Sequence, residues 1–357
     1  MMNKVGEIEF KKIRRISPSQ FYSMKNCRYK SLLAEAMNKK PLLPISPNAY
    51  YGTVLHKLLE LISKGEIINE NDFNKTFEEQ IGLMEQKLLE QGFDFFVPLQ
   101  KKVKDFMMKK ILLKEHLHNF SGQSQSLTRV NYIAEKWYES KDKTIGGKID
   151  LVIEEGNKIE IFDFKTGAIT QDYLDDDGEV YSDVKEEYKD QLKLYAYIYY
   201  ENTGKFPTKL SLVDLAKQKF AVPFSQKECY TVYLESKNLL NTVNSCIDTG
   251  IFKANPTESN CKFCLYRPAC SFYLNQIEIC STFKDVSGFL VNTLKFQNGN
   301  ISAYIESGRK RLTVSNLPEE MFDELNESHT KKLYFFNLKR ETKDGLYTAT
   351  KATMIYE

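Results

Sequence analysis

The chain has no apolar run long enough to cross a bilayer, which takes about 20 predominantly apolar residues. Its first stretch, MMNKVGEIEFKKIRRIS, is charged and lacks the apolar centre of a signal peptide. A cytoplasmic protein with no membrane attachment is therefore expected, with its seven cysteines reduced or metal-bound rather than paired. No G-x4-G-K-[ST] sequence occurs, so no ATP-driven motor is built in. Internal repeats and low-complexity tracts are missing too. So is a large net charge: +2 over 357 residues does not by itself announce a nucleic-acid partner.

Charge is distributed instead. Lys11, Lys12, Arg14 and Arg15 form one basic cluster, and Lys101, Lys102, Lys104, Lys109, Lys110 and Lys114 form another on an apparent helix. The stretch from Asp172 to Asp190 is acidic and offsets them. Solvated faces and phosphate contacts both account for such lysines.

This length buries a large core and suggests two domains. Residues 17–37 read as one helix capped by Ser17 with Pro18 at its first position, and a Pro-rich connection leads to a second helix over 49–65. Two or three more helices fill 70–120. The middle turns to strands (SLTRVNYIAEKWYES, GGKIDLVIEE, NKIEIFDFKTG), with a Gly-Asn turn before the last. A long acidic loop follows, then the helix DQLKLYAYIYYENTG, two strands and a helix leading to a cysteine cluster. The class is α+β, with helices flanking a central mixed sheet. Residues 283–357 read as three strands, a short helix (LPEEMFDELNES) and two more strands, the order of a five-stranded OB-like barrel. That fold often holds single-stranded nucleic acid, although apolar alternation there is more often barrel core.

Four cysteines frame the chain: Cys27 near the start, and Cys261, Cys264 and Cys270 in a C-x2-C-x5-C run. Thiolates so placed can converge on one centre and pin the chain across its middle. Softness alone leaves zinc and an iron–sulphur cluster both open. Cys280 is a possible substitute ligand; Cys229 and Cys246 read as ordinary thiols.

In I-E-I-F-D-F-K, strand alternation puts Asp163 and Lys165 on one face, and Asp150, in G-K-I-D-L-V, can approach Asp163 across a hairpin. Two carboxylates side by side repel unless a hard cation such as Mg²⁺ or Mn²⁺ joins them. Lys165 beside that cation can hold an attacking hydroxide or a phosphate oxygen, the equipment of phosphodiester hydrolysis. Alone, D-x-K on a strand is more often an exposed ion pair. Its neighbours change the reading. Gly52, His56 and Glu60 recur at spacing four on the second helix, away from Leu55, Leu58, Leu59 and Ile62, so a neutral His56 can reach a metal. Gln191 and Tyr195 are likewise four apart, able to touch a nucleic-acid backbone or orient Lys165.

With these motifs in this order, the chain resembles the RecB-like branch of the PD-(D/E)XK nuclease superfamily. Within that branch it is similar to the iron–sulphur subgroup that includes the AddB nuclease domain and the CRISPR-associated RecB-like exonucleases. The resemblance covers roughly residues 13–282: S-P-S-Q-F…C-R-Y around Cys27, G-T-V-L-H at His56, G-K-I-D at Asp150, D-F-K-T-G at Asp163, Q-L-K-L-Y at Gln191 and the final cysteines. It implies a restriction-endonuclease-like sheet in a nuclease domain over residues 1–282, with the OB-like barrel appended over 283–357. It implies a Mg²⁺ or Mn²⁺ held by His56, Asp150, Asp163 and the carbonyl of Phe164, and a nucleophilic water placed by Lys165. Gln191 and Tyr195 would support the site and the DNA backbone. Cys27, Cys261, Cys264 and Cys270 would hold a [4Fe–4S] cluster, where structural Zn²⁺ is the default without the resemblance. Ile149 stands where the motif's proline would be, a departure common in this branch. Glu135 is an acidic neighbour best read as a solvated strand position.

The expected function is thus a metal-dependent DNA nuclease, an exonuclease on single strands or ends, working with a separately encoded helicase in repair, recombination or anti-phage defence. The competing reading is a non-catalytic DNA-binding scaffold subunit of a helicase complex. A retired nuclease should have lost a ligand, and none of His56, Asp150, Asp163 and Lys165 is missing.

Overall fold

A computed structural model describes residues 2–117, 130–174, 179–279 and 283–357. Cys280 and the acidic residues Asp175, Asp176 and Asp177 lie outside them. The described chain forms two compact units interleaved in sequence. One holds residues 13–25 and 46–248; the other holds 1–12, 26–45 and 249–357. Residues 283–357 thus share a unit with Cys27 and with Cys261, Cys264 and Cys270.

In chain order the elements begin with helices α1 (Pro18–Asn26), α2 (Arg28–Ala36), α3 (Pro47–Ser63), α4 (Glu70–Glu90) and α5 (Phe106–Lys114). Strands β1 (Val130–Glu139), β2 (Gly146–Glu155), β3 (Lys158–Lys165), β4 (Thr170–Leu174) and β5 (Val180–Val184) follow. Next come α6 (Glu186–Thr203), β6 (Lys209–Asp214), β7 (Lys219–Ala221) and α7 (Gln226–Thr249). Among these described helices none is long and apolar enough to cross a membrane.

The larger unit is built on a mixed five-stranded sheet in the order β1-β2-β3-β6-β7. β1, β2 and β3 form an antiparallel meander, turned between β2 and β3 at Gly156, whose φ is +58°. β3 and β6 run parallel, which requires a crossover, and α6 supplies it. This helix buries Gln191, Leu192, Leu194, Tyr195, Ile198 and Tyr199, so the polar pair of the Q-x3-Y motif shares its core-facing stripe. α3 starts two residues before the expected Ala49, inside the Pro-rich connection: Ser46 caps it by accepting from the Ala49 amide, and Pro47 stands in its first turn. Leu55, Leu58 and Leu59 pack into the core, each at most 2% exposed, leaving His56 and Glu60 on the other stripe.

Two expectations for this part of the chain fail. The single helix over 17–37 is two, because Cys27 is extended (φ −151°, ψ 99°) and breaks the hydrogen-bond ladder. The acidic loop after Lys165 contains a hairpin of β4 and β5, in which Tyr173 faces Tyr181 with ring centroids 5.7 Å apart. Intervening aspartates mask the β-branched and aromatic residues Thr170, Tyr173, Val180 and Val184 that support it.

The other unit adds α8 (Glu258–Cys261), α9 (Ser271–Ile279), β8 (Val286–Lys295), β9 (Ile301–Ser307), β10 (Lys310–Leu317) and α10 (Phe322–Asn326). It ends with β11 (Lys332–Phe336), β12 (Lys339–Arg340), β13 (Leu346–Thr348) and β14 (Met354–Tyr356). Its sheet has seven strands rather than five, ordered β12-β13-β10-β9-β8-β11-β14. The expected fourth strand is split at Asn337, whose φ of +61° turns the chain, and β14 adds an unforeseen strand beside β11. β11 and β12, nearly continuous in sequence, stand far apart in that order, so the sheet curls into a half-barrel around Leu290, Ile305, Val314, Leu333 and Phe335.

Gly288 marks the tightest point of this curl: a Cβ there would lie 2.5 Å from the Glu306 carbonyl oxygen and 2.5 Å from Ile305 Cγ2. Backbone cannot step aside as a side chain can. Gly288→Ala should destabilise the protein by about 1–3 kcal/mol, read as a lower denaturation midpoint with an unchanged slope.

Candidate active site

Pairing of β2 with β3 ends at Leu151 opposite Phe162, so the next cross-strand positions belong to Asp150 and Asp163. Beyond that point β3 keeps its parallel partner β6 but no longer bonds to β2. The Asp150 side chain fills the gap: its Oδ2 accepts from the Phe164 amide at 2.7 Å. Burial, and then the nearby Asp163 carboxylate, push the Asp150 pKa well above the usual carboxylate range.

Asp163 is 3% exposed. Its Oδ1 accepts from Gln191 Nε2 at 2.7 Å, and its Oδ2 stands 2.7 Å from Lys165 Nζ. The second contact is purely ionic: although the atoms are close, Oδ2 is buried and accepts no hydrogen bond of proper geometry. Lys165 donates to Gln191 Oε1 at 3.0 Å, so one amide from α6 orients both members of the D-x-K pair. The Lys165 ammonium also lies over the Tyr188 ring, 4.3 Å from its centroid. Tyr195 sits one turn beyond Gln191 and bonds to it; burial and the two aspartates raise its pKa, so its hydroxyl stays protonated.

His56 completes the grouping from α3. Burial lowers its pKa, and it feels the charges of Asp163, Lys165 and Lys148. A neutral imidazole, an oxygen pair in mutual repulsion and a buried Asp163 oxygen lacking a hydrogen bond are donors a hard divalent cation suits. Even so, among the described residues no three His, Cys, Asp or Glu side chains stand grouped as a metal site. The aspartates are held by Phe164, Gln191 and Lys165 instead.

Glu135 departs from its expected solvated position. Ala134 pairs with Leu151 and Lys136 with Ile149, which sets Glu135 across from Asp150. Its φ of +54°, rare for a non-glycine residue, interrupts the ladder at that point. Its side chain is only 8% exposed and is ion-paired with Lys148, while burial raises its pKa. Lys148 also reaches Glu60 at 3.2 Å; despite burial, Lys64, Lys148 and Lys57 hold the Glu60 pKa at about 2. Glu60 therefore anchors lysines rather than facing the aspartates. Register counting from the hairpin would have found Glu135; nothing in the sequence marks Lys148 or Tyr188.

The raised Asp150 pKa has a consequence for stability. The folded chain keeps a proton that the unfolded chain releases near pH 4, so this group stabilises the fold at low pH. That contribution is lost as pH rises through the folded value. Without metal, the melting temperature should fall over this window, and saturating Mn²⁺ should flatten the fall by replacing the proton. Thermal melts with chelator or Mn²⁺ check this; a slope unaltered by Asp150→Asn would contradict it.

In the other unit, Cys27, Cys261, Cys264 and Cys270 line one cavity together with Arg267. The three downstream thiols are buried, and burial, with the other cysteines adding to it, raises Cys261 and Cys270 to about 12. Buried sulphurs in one cavity suit a cationic centre by donor chemistry, yet they too are not grouped as a metal site.

The sequence matches the PD-(D/E)XK nuclease superfamily over residues 15–271. Among solved structures, the chain is similar to one from Eubacterium rectale described as "Putative exonuclease". The two are 10% identical, the match covers 73% of this chain and 88% of that one, and the TM-score is 0.43. No curated protein matches the sequence.

Proposed function

This chain belongs to the PD-(D/E)XK nuclease superfamily, and we propose that it is a divalent-metal-dependent deoxyribonuclease hydrolysing phosphodiester bonds, an exonuclease on single strands or DNA ends. What carries the reading is Gln191, which bonds Asp163 through one atom of its amide and Lys165 through the other. An arrangement of that kind fixes an acid and an ammonium side by side, where a surface ion pair would leave them free.

Members of the superfamily generally use Mg²⁺ or Mn²⁺. Here Asp150, Asp163, His56 and the Phe164 carbonyl are the proposed ligands. A cation bound by them would lower the pKa of its water and offset charge developing on the phosphorus oxygens. Lys165 holds the attacking water by hydrogen bonding and keeps its charge beside the phosphate. Gln191 keeps Lys165 from swinging toward solvent, while the protonated Tyr195 hydroxyl donates a hydrogen bond to the backbone of the bound strand. Residues 1–282 form the nuclease domain on this reading.

The same proposal assigns a [4Fe–4S] cluster to Cys27, Cys261, Cys264 and Cys270, as in the RecB-like iron–sulphur branch, with structural Zn²⁺ as the alternative. Residues 283–357 act as an OB-like module for strand capture. Support comes from strand order: the first of its strands (β8) pairs with the second and fourth, the third (β10) pairs in parallel with β13, and a helix separates third from fourth. A helicase encoded separately, in repair or defence, is the expected partner because the chain carries no motor motif of its own.

End-labelled single- and double-stranded DNA, incubated with the anaerobically purified protein, tests the reading. Degradation with Mg²⁺ or Mn²⁺ but not with chelator is the expected result, and the label's position gives the polarity. DNA bound but uncut under every condition would return the scaffold reading.

A further inference from the structure

Beside His56 opens a groove of about 540 Å³, within the range that holds small ligands. Asn48, Gly52, Thr53, Lys109 and Thr166 line it along with the histidine, and none of its lining residues is acidic. Gly52 keeps the floor open, since a Cβ at that position would come 2.9 Å from Thr166 Oγ1. Thr166 directly follows Lys165, so the groove leads straight from the D-F-K strand to α3.

Lys109 stands on α5, and α5 is locked to α3 beside the groove. The Tyr51 hydroxyl donates to the Phe106 carbonyl at 2.8 Å in the core, and the two rings stack with centroids 4.4 Å apart. At the same junction the Lys104 amide donates to Asn48 Oδ1 at 3.1 Å. The neighbouring lysines of α5 are neutralised: Lys110 pairs with Glu78 and Lys114 with Glu70, each at 2.9 Å. Half-buried Lys109 has no carboxylate partner among the described residues. An uncompensated cation, carried by a helix locked beside a groove without carboxylates, is complementary to an anionic backbone.

We propose that this groove holds the phosphodiester adjoining the scissile one, with Lys109 as its cationic contact. The inference rests on the nuclease reading and extends it from the reacting phosphate to its neighbour. Of the six lysines in the basic cluster, it singles out one. A phosphate contact of this kind sets the register of the strand and carries no sequence preference.

Binding of fluorescein-labelled single-stranded DNA, measured by anisotropy in chelator across a salt series, tests it without cleavage. Lys109→Ala should bind severalfold more weakly and lower the slope of log affinity against log salt by about one, with Lys109→Arg restoring both. Lys110→Ala, which removes a lysine already paired, should match the wild type. In metal, Lys109→Ala should raise KM with little change in kcat. Wild-type affinity and slope in Lys109→Ala would overturn the assignment. An equal loss in Lys110→Ala would do the same, because general charge would then explain binding. If the wild type neither binds nor cuts DNA, the nuclease reading itself fails; if it does both and Lys109→Ala behaves identically, only the groove assignment fails.

Discussion

Asp163→Asn should slow DNA cleavage by about 10³-fold or more while leaving the protein folded. The substitution keeps volume at a position 3% exposed, so no cavity opens. What changes is charge. The carboxylate accepts from Gln191 on one oxygen and faces Lys165 with the other. In the carboxamide, an oxygen turned to Gln191 leaves its NH₂ facing the Lys165 ammonium, donor against donor. On the proposed assignment, Lys165 would be pushed from the place where it holds water, and the cation would lose a charged ligand together with its positioning group. A second signature accompanies the loss. Asp150 no longer faces a like charge, so its pKa should fall back and the pH dependence of the metal-free melting temperature should weaken. Steady-state rates and melts on one preparation read both. A variant that cuts DNA at the wild-type rate would remove Asp163 from the chemistry.

The other large effect lies in the cysteine-bearing unit, at Arg267. This guanidinium is 5% exposed and fully engaged. Nη1 donates to the carbonyls of Cys261, Lys262 and Cys264 at 2.9, 3.1 and 2.8 Å. Nε donates to Asp285 Oδ2 at 2.7 Å and Nη2 to Asn337 Oδ1 at 2.7 Å. Asp285 in turn accepts from the Tyr273 hydroxyl and the Asn337 amide, at 2.7 and 2.8 Å. One side chain thus closes the cysteine loop over itself and ties it to the half-barrel at the kink of Asn337. Arg267→Leu strands a buried carboxylate and three carbonyls, at a cost of about 3–5 kcal/mol. Arg267→Lys should fall between, since an ammonium cannot fork to carbonyls and carboxylate together. The double variant with Asp285→Leu should be less destabilised than Arg267→Leu alone, because the orphaned charge is gone. Denaturant melts of the three variants decide it. Equal stability of Arg267→Leu and wild type would show that the network contributes little.

Much of the candidate site was legible because it obeys short periods. Alternation along β3 put Asp163 and Lys165 on one face, and the four-residue spacing of Gln191 and Tyr195 put both on the sheet-facing side of α6, where Gln191 meets the D-x-K pair. The mixed sheet followed from the same alternation, read strand by strand. What escaped was decided by tertiary context. The break at Cys27 has no local breaker: K-N-C-R offers neither Pro nor Gly, and the chain passes there from one compact unit to the other. Glu135 looked solvated because charged residues on strands normally are, whereas its left-handed backbone buries it opposite Asp150. The kink at Asn337 was hidden because asparagine tolerates positive φ without announcing it, and so a single expected strand became β11 and β12. Arg267 was invisible for another reason: its partners lie up to 70 residues away.

Whether Asp150 and Asp163 share one divalent cation is tested most directly by calorimetric titration of Mn²⁺ into the wild type and into Asp150→Asn and Asp163→Asn. One saturable site in the wild type, lost or greatly weakened in each variant, is the predicted result. Undiminished Mn²⁺ binding in both variants, with cleavage still dependent on metal, would place the catalytic cation elsewhere and contradict the assignment.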